Sequence, residues 1–250
     1  RRDGLNNAAM VSGYRGSPLG GIDTLMLGNS EELAQNNIEF VPGLNEDLGA
    51  TTVWGSQLAN RNFDGKFDGV LGMWYGKAPG VDRSGDAIRH ANVCGVDPKG
   101  GVLLVAGDDP ASKSSTLASE SEFALLHFQT PILYPGSVQE VADYGRIGYE
   151  LSRYSGLWVS LKIVTNVADG YSTIKVGPGR VQIERPKFEW EGRPWQHTQQ
   201  DALFGPFAVR QELEIHEGRL EATDAFPRLN KLDITSGAAS DAKIGLVAAG

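Results

Sequence analysis

GVLGMWYGKAPGVDRSGDAIRHANVCGVDPKGGVLLVA, residues 69–106, sets two apolar runs (69–75, GVLGMWY, and 102–106, VLLVA) on either side of a helical pattern over 85–93. Neither run alternates apolar with polar residues. Continuous apolarity over so short a length is what a strand covered on both faces requires, and two such strands joined through a helix predict a parallel pair.

Outward from this unit the alternation continues. Strands are predicted at 8–14, 38–41, 131–134 and 157–164, and helices at 22–33, 46–60, 119–128 and 138–153. Six strands alternating with five helices make residues 1–170 an α/β domain, a doubly wound parallel sheet. Right-handed crossovers place every strand-to-helix loop at its carboxyl edge, where ligands bind in such folds. After Thr165 the composition changes, with Gly177, Pro178, Gly179, Pro186, Pro194 and Pro206 punctuating a polar C-terminal extension. Residues 171–240 are expected to be a connector with little regular structure, a short hairpin near 180–184 and a helix between Phe207 and Phe226 interrupted at Gly218. The closing run, 241–250, reads as the start of a following α/β domain, cut short, so the chain is expected to be part of a longer polypeptide.

The composition narrows the class. With 250 residues, 40% hydrophobic and 22% charged, the chain can bury a sizeable core. A net charge of -8 without any Lys/Arg block argues against nucleic acid or an anionic membrane surface as partner. No apolar run reaches the length of a membrane span and no leader pattern opens the chain, so the cytoplasm is the expected compartment. The single cysteine, Cys94, excludes an internal disulfide and cannot alone hold zinc or an iron–sulfur cluster. Its expected role is a small buried residue near a helix end.

Four loops fall on the expected ligand edge. The first, Tyr14-Arg15-Gly16-Ser17-Pro18-Leu19-Gly20-Gly21, offers small residues and helix-start amides to an anion, but matches neither a P-loop nor a dinucleotide fingerprint. The second, 40–50 (FVPGLNEDLGA), leads from a strand through Pro-Gly to Asn45-Glu46-Asp47. Asn45 is a good N-cap and the acids suit a first helical turn, so on this stretch alone ordinary capping is the favoured reading over chemistry. The third, 75–90, carries Lys77, Asp82, Arg83 and His90: Lys77 and Arg83 could neutralise an acidic substrate with Asp82 orienting either, or Asp82, Asp86 and Arg89 decorate helix ends, and His90 alone reads as structural. The fourth holds Asp108, Asp109, Lys113 and Ser114, read equally as a substrate loop or a solvated turn. No Ser/His/Asp triad and no zinc-like spacing is present.

Taken together, YRGSPLGG, GLNEDLGATTVWGSQ, GMWYGKAPGVDRSGD, AGDDPASKSSTLASESE and LYPGSVQE resemble, in order and spacing, the long fused form of indolepyruvate ferredoxin oxidoreductase. That family is one of thiamine diphosphate-dependent 2-oxoacid:ferredoxin oxidoreductases. The resemblance covers roughly residues 8–165, fades through the connector and returns at KIGLVAAG. It implies that residues 1–170 are the pyrimidine-binding (PYR) half of a cofactor site shared with another domain or subunit. A carboxylic acid at the position of Glu46 then exchanges a proton with N1′ of the aminopyrimidine; Asp47 cannot share this task, because helix neighbours point apart. By the same resemblance the first loop, Tyr14, Arg15, Gly16 and Ser17, holds the substrate's 2-oxo carboxylate. Lys77 and Arg83 join it on charge and position, while Pro18, Asp109 and Ser114 fall with Glu46 on the cofactor side.

The motif that usually holds the diphosphate and Mg²⁺, GDG followed by Asn, is missing: Gly85-Asp86-Ala87 and Gly107-Asp108-Asp109 both lack the second glycine. Mg²⁺ and iron–sulfur clusters are thus implied by the resemblance but expected elsewhere in the enzyme, with no metal ligand in this chain. The expected partners are the remaining domains or subunits, ferredoxin, CoA, a 2-oxoacid and a second copy in a homodimer. Two rivals stay open: a non-oxidative decarboxylase or transketolase-like thiamine enzyme, and a non-catalytic α/β binding or assembly module.

Overall fold

In the computed structural model, which describes residues 4–177, 179–237 and 241–250, the apolar runs become one parallel sheet. Its strands are β1 (Ala8–Gly13), β2 (Ile38–Phe40), β3 (Val70–Lys77), β4 (Gly101–Asp108), β5 (Ile132–Leu133) and β6 (Val159–Val164), in the order β2-β1-β3-β4-β6-β5. All five pairings are parallel, and β3 and β4 occupy the centre. From β1 the chain steps outward to β2, then returns past β1 to β3. The order therefore reverses between β1 and β3, a topological switch point whose crevice opens at the carboxyl edge.

Alternation along the strands divides the core. On one face Trp74, Leu104 and Ala106 meet Ala50 and Val53 of α3 (Glu46–Gln57), Val81 of α5 (Ala78–Arg83), Ile88 and Ala91 of α6 (Gly85–Cys94) and Leu125 of α7 (Glu122–His127). On the other, Val11, Tyr75, Leu103, Val105, Leu161 and Ile163 face α1 (Gly21–Gly28) and α8 (Val138–Ser155). Cys94 is fully buried at the end of α6, and burial pushes its thiol up to about 11.

Three local expectations change. The helix expected over 22–33 is two, α1 and α2 (Ser30–Gln35), separated at Asn29, whose side-chain amide turns back to the Leu25 carbonyl. Residues 78–83, read as loop, form α5 directly after β3; Pro79 sits in its first turn, where a missing N–H costs nothing. The hairpin expected at 180–184 lies instead at β7 (Glu189–Trp190) and β8 (Arg193–Pro194). Glu191 and Gly192 between them both take positive φ, the conformation a two-residue hairpin turn needs.

The C-terminal extension has little regular structure up to residue 205, yet it is docked rather than loose. Trp195 donates its indole N–H to the Tyr154 carbonyl (2.8 Å), and His197 lies buried with Nε2–H directed at the Val96 carbonyl (3.1 Å). Helices α10 (Pro206–Glu214) and α11 (Leu220–Asn230) are joined by a π-turn, Ile215–Arg219, so the interruption expected at Gly218 takes the form of a π segment in a continuous helical path. A Cβ at Gly218 would stand 2.5 Å from the Trp195 ring, so this residue serves close packing. Arg219 is buried; it donates to Glu214 (2.8 Å) and to the carbonyls of Asn92 (3.0 Å) and Thr198 (2.9 Å), tying the extension to α6. Phe226 and Ala222 of α11 pack against Ile147, Leu151 and Tyr154 of α8. Residues 244–250 are exposed and pair with no strand.

Burial, with the Arg219 charge beside it, pulls the His197 imidazole down to about 4. The unfolded chain binds a proton near pH 6.5 that the folded chain refuses until about pH 4. Stability from this residue is therefore complete above pH 6.5 and drains away as the pH falls towards 4, by about 3 kcal/mol in all. Urea titrations at pH 7 and pH 4.5 should show that loss in the native chain and a flatter dependence in His197→Gln; equal slopes would place the acid sensitivity elsewhere.

Candidate functional site

Glycines bring the loops together at the switch point. A Cβ on Gly13, the last residue of β1, would lie 2.1 Å from the Tyr75 carbonyl oxygen of β3, and one on Gly49 of α3 would lie 2.9 Å from the Gly13 Cα. The Gly43 N–H donates to the Gly13 carbonyl (2.9 Å). The start of α3 thus rests directly on the end of β1, a closeness only side-chain-free backbone permits.

That contact fixes Glu46. Asn45 caps α3 by accepting the Leu48 N–H (2.8 Å), and the indole of buried Trp74 donates to the Glu46 carbonyl oxygen (2.9 Å). The half-buried Glu46 side chain lies against Gly80 of α5: a Cβ there would be 2.5 Å from Glu46 Cγ and 2.9 Å from Oε1. Among the described residues its carboxyl group has no hydrogen-bond or ion-pair partner. Val41, Leu44 and Leu48, within five residues of it along the chain, have exposed apolar side chains, Leu44 at 85% exposure.

The other loops meet one another. Tyr14 is exposed, with its N–H on the Tyr75 carbonyl (3.1 Å), and Arg15 beside it is exposed. The stem of Lys77, at the end of β3, passes over Gly16, where a Cβ would be 3.2 Å from Lys77 Cδ. Pro18 and Leu19 cover Gly107 at the end of β4, and the hydroxyls of Ser17 and Ser114 are hydrogen-bonded to each other. The Ser17–Pro18 peptide is cis. The first, third and fourth loops therefore form one cluster at the β1, β3 and β4 ends. Among the described residues Arg15, Lys77 and Arg83 have no ion-pair partner, which leaves this edge of an acidic chain locally cationic. Arg83 stands apart from the cluster, exposed in the last turn of α5, and His90 turns back on its own helix to Asp86.

Asp109 spends its carboxylate inside the fourth loop, accepting the N–H groups of Lys113 and Ser114 (2.8 Å each) and the Thr165 hydroxyl (3.2 Å). Those donors, Ser114 first, hold its carboxyl down to about 2. What Asp109 offers a ligand is therefore the shape of the loop, with Ser114 presented to Ser17 and Lys113 paired to Asp169.

Sequence reasoning missed a buried ionic cluster next to this edge. Lys162 of β6 pairs with Asp108 (3.2 Å) and Glu122 and lies over the Tyr134 ring at 4.6 Å. Its signal was a lysine inside the apolar run LWVSLKIV, where an unpaired charge would be costly. Trp74 and Gly80, the residues touching Glu46, gave no signal at all. Under Pro18 and Leu19, between α1 and α8, the sheet face leaves an apolar cavity of about 540 Å³ lined by Ile22, Leu25, Val105 and Val167. Among the described residues no group of three or more His, Cys, Asp or Glu could hold a metal ion, and no helix is long and apolar enough to cross a membrane.

No family model matches the chain. It is similar to curated proteins that share one name, indolepyruvate oxidoreductase subunit IorA. With that of Archaeoglobus fulgidus it shares 26% identity over 155 residues, 62% of this chain and 24% of that protein. The figures for Pyrococcus abyssi are 25% over 191 residues, 73% and 27%, and for Methanothermobacter thermautotrophicus 28% over 109 residues, 44% and 17%. The chain spans about a quarter of the length of the first two of these relatives. They bear out, at a distant level, the resemblance drawn from the loop motifs.

With Asp109→Ala the fourth loop should lose its anchor. Amide hydrogen exchange at Lys113 and Ser114 is expected to accelerate roughly tenfold or more. In the native chain the carboxyl titrates below its ordinary value, so protection of these amides should persist at pH 4 and be lost only as the pH falls through about 2. Unchanged exchange in the variant would mean that the loop is held by other contacts.

Proposed function

We propose that this chain, a distant relative of the IorA subunits, is the pyrimidine-binding part of a thiamine diphosphate-dependent 2-oxoacid:ferredoxin oxidoreductase, with Glu46 as its catalytic acid/base. The observation that carries the reading is the carboxyl of Glu46, unpartnered at the carboxyl edge of a parallel sheet, on a residue whose carbonyl accepts the Trp74 indole N–H and whose helix is capped by Asn45. A carboxyl group whose only function was capping would be expected to face the amides of its own helix; here Asn45 already does that.

The donor set fits the pyrimidine end of thiamine diphosphate and no more. Glu46 can hold and return a proton at a ring nitrogen. The exposed Val41, Leu44 and Leu48, close to it along the chain, give a second domain an apolar surface to cover, which would exclude water from the shared site. The cofactor, when bound, supplies the carbanion chemistry at its thiazolium ring. The unpaired cations Arg15 and Lys77 suit the carboxylate of a 2-oxoacid, with the small residues Gly16 and Ser17 letting it approach the backbone, while Arg83, apart from that cluster, adds positive charge from the end of α5. An aryl pyruvate as substrate draws on the relatives' name and on the apolar cavity beside Pro18. The other domains of the enzyme then carry the diphosphate and Mg²⁺ site, the iron–sulfur clusters and the ferredoxin and CoA contacts, in a cytoplasmic homodimer.

Glu46→Gln in the complete enzyme should leave thiamine diphosphate binding largely intact and slow hydrogen exchange at the thiazolium C2 by roughly 10²- to 10⁴-fold, the range of a lost general acid/base. Exchange at the native rate would remove Glu46 from the chemistry.

A further inference from the structure

We infer that Gly80 is a positioning residue for Glu46: the missing side chain on α5 is the slot in which the Glu46 side chain lies. The inference rests on the reading of Glu46 as the proton-transfer residue. A Cβ built on Gly80 meets three atoms of Glu46 and nothing closer, Cγ at 2.5 Å, Oε1 at 2.9 Å and Cδ at 3.0 Å. Any residue but glycine would therefore push the Glu46 side chain out of its present path.

The backbone gives no other reason for glycine here. Gly80 lies inside α5 without positive φ, a place where alanine is the better helix former. A purely structural view accordingly predicts that Gly80→Ala is neutral or stabilising. The positioning view predicts a fold as stable as the native one with a misdirected carboxyl group. Glu46 cannot answer the intrusion by moving its backbone, because its carbonyl is held by the Trp74 indole and its helix start by the Asn45 cap. The displacement must be taken up by the side-chain torsions, which aim the carboxyl.

α5 thereby gains a function that the sequence does not show. It follows β3 without a loop, so the end of the central strand sets its place, and its first turns form the wall against which Glu46 leans. Gly55, on α3 itself, makes the contrast: a Cβ there meets nothing within 4 Å.

The test uses the complete enzyme with thiamine diphosphate, comparing Gly80→Ala, Gly55→Ala, Glu46→Gln and the double variant Gly80→Ala/Glu46→Ala. Crystal structures and melting temperatures are measured alongside C2 hydrogen exchange and the separate kcat and KM for the 2-oxoacid. Gly80→Ala is expected to melt at or above the native temperature, to show the Glu46 carboxyl displaced, and to slow C2 exchange roughly 10²-fold with KM little changed. Gly55→Ala should match the native enzyme in every respect. If Glu46→Gln slows exchange while Gly80→Ala neither moves the carboxyl nor slows exchange, the positioning inference is overturned and the reading of Glu46 stands. If Glu46→Gln exchanges at the native rate, that reading falls instead. Should Gly80→Ala not fold, the double variant Gly80→Ala/Glu46→Ala decides, because it removes the three Glu46 atoms that the new methyl group would meet: recovery of a native-like melting temperature supports the slot, and continued failure to fold overturns it.

Discussion

The contact on which the site depends is backbone against backbone, where Gly49 of α3 meets Gly13 at the end of β1. Neither residue has a side chain to hold the helix off, so α3 begins at the carboxyl edge of the sheet rather than above it. From there the rest follows. Asn45 closes the first turn, the Trp74 indole reaches the Glu46 carbonyl, and the carboxyl of Glu46 is left facing α5 with no partner among the described residues. A methyl group at either glycine would need several contacts to shift together.

The same junction separates two kinds of chemistry. Glu46 belongs to the face of the sheet built from α3, α5, α6 and α7, whereas Ser17, Lys77 and Ser114 gather over the ends of β1, β3 and β4. Both lie at the carboxyl edge near the β1/β3 switch point, the place where parallel sheets of this order bind ligands. A carboxyl group on one side and cations on the other is the polarity that proton exchange with a bound ring and capture of an anionic substrate would need. The apolar side chains exposed close to Glu46 along the chain give the arrangement an incomplete look that a covering domain would remove.

Much of this was legible in the sequence, for physical reasons. Doubly covered strands must be apolar along their whole length, so all six strands and their parallel order of alternation could be read. Asn45 announced the start of α3 and, with it, the place of Glu46. What the sequence hid depends on distant partners. Residues 78–83 fall within the loop expected over 75–90, although Pro79 suits the first turn of α5. Residues 171–240 read as a connector with little regular structure, and nothing local marks Arg219, Glu214 and His197, whose mutual burial makes the extension part of the core. Gly80 and Trp74 touch Glu46 across more than two dozen residues of chain, a pairing no local pattern encodes.

The most direct test of the central claim is a crystal structure of the complete enzyme with thiamine diphosphate bound. The account predicts the Glu46 carboxyl within hydrogen-bonding distance of the aminopyrimidine N1′, its side chain still lying against Gly80. A different carboxylate at N1′, or a pyrimidine bound away from the start of α3, would contradict it.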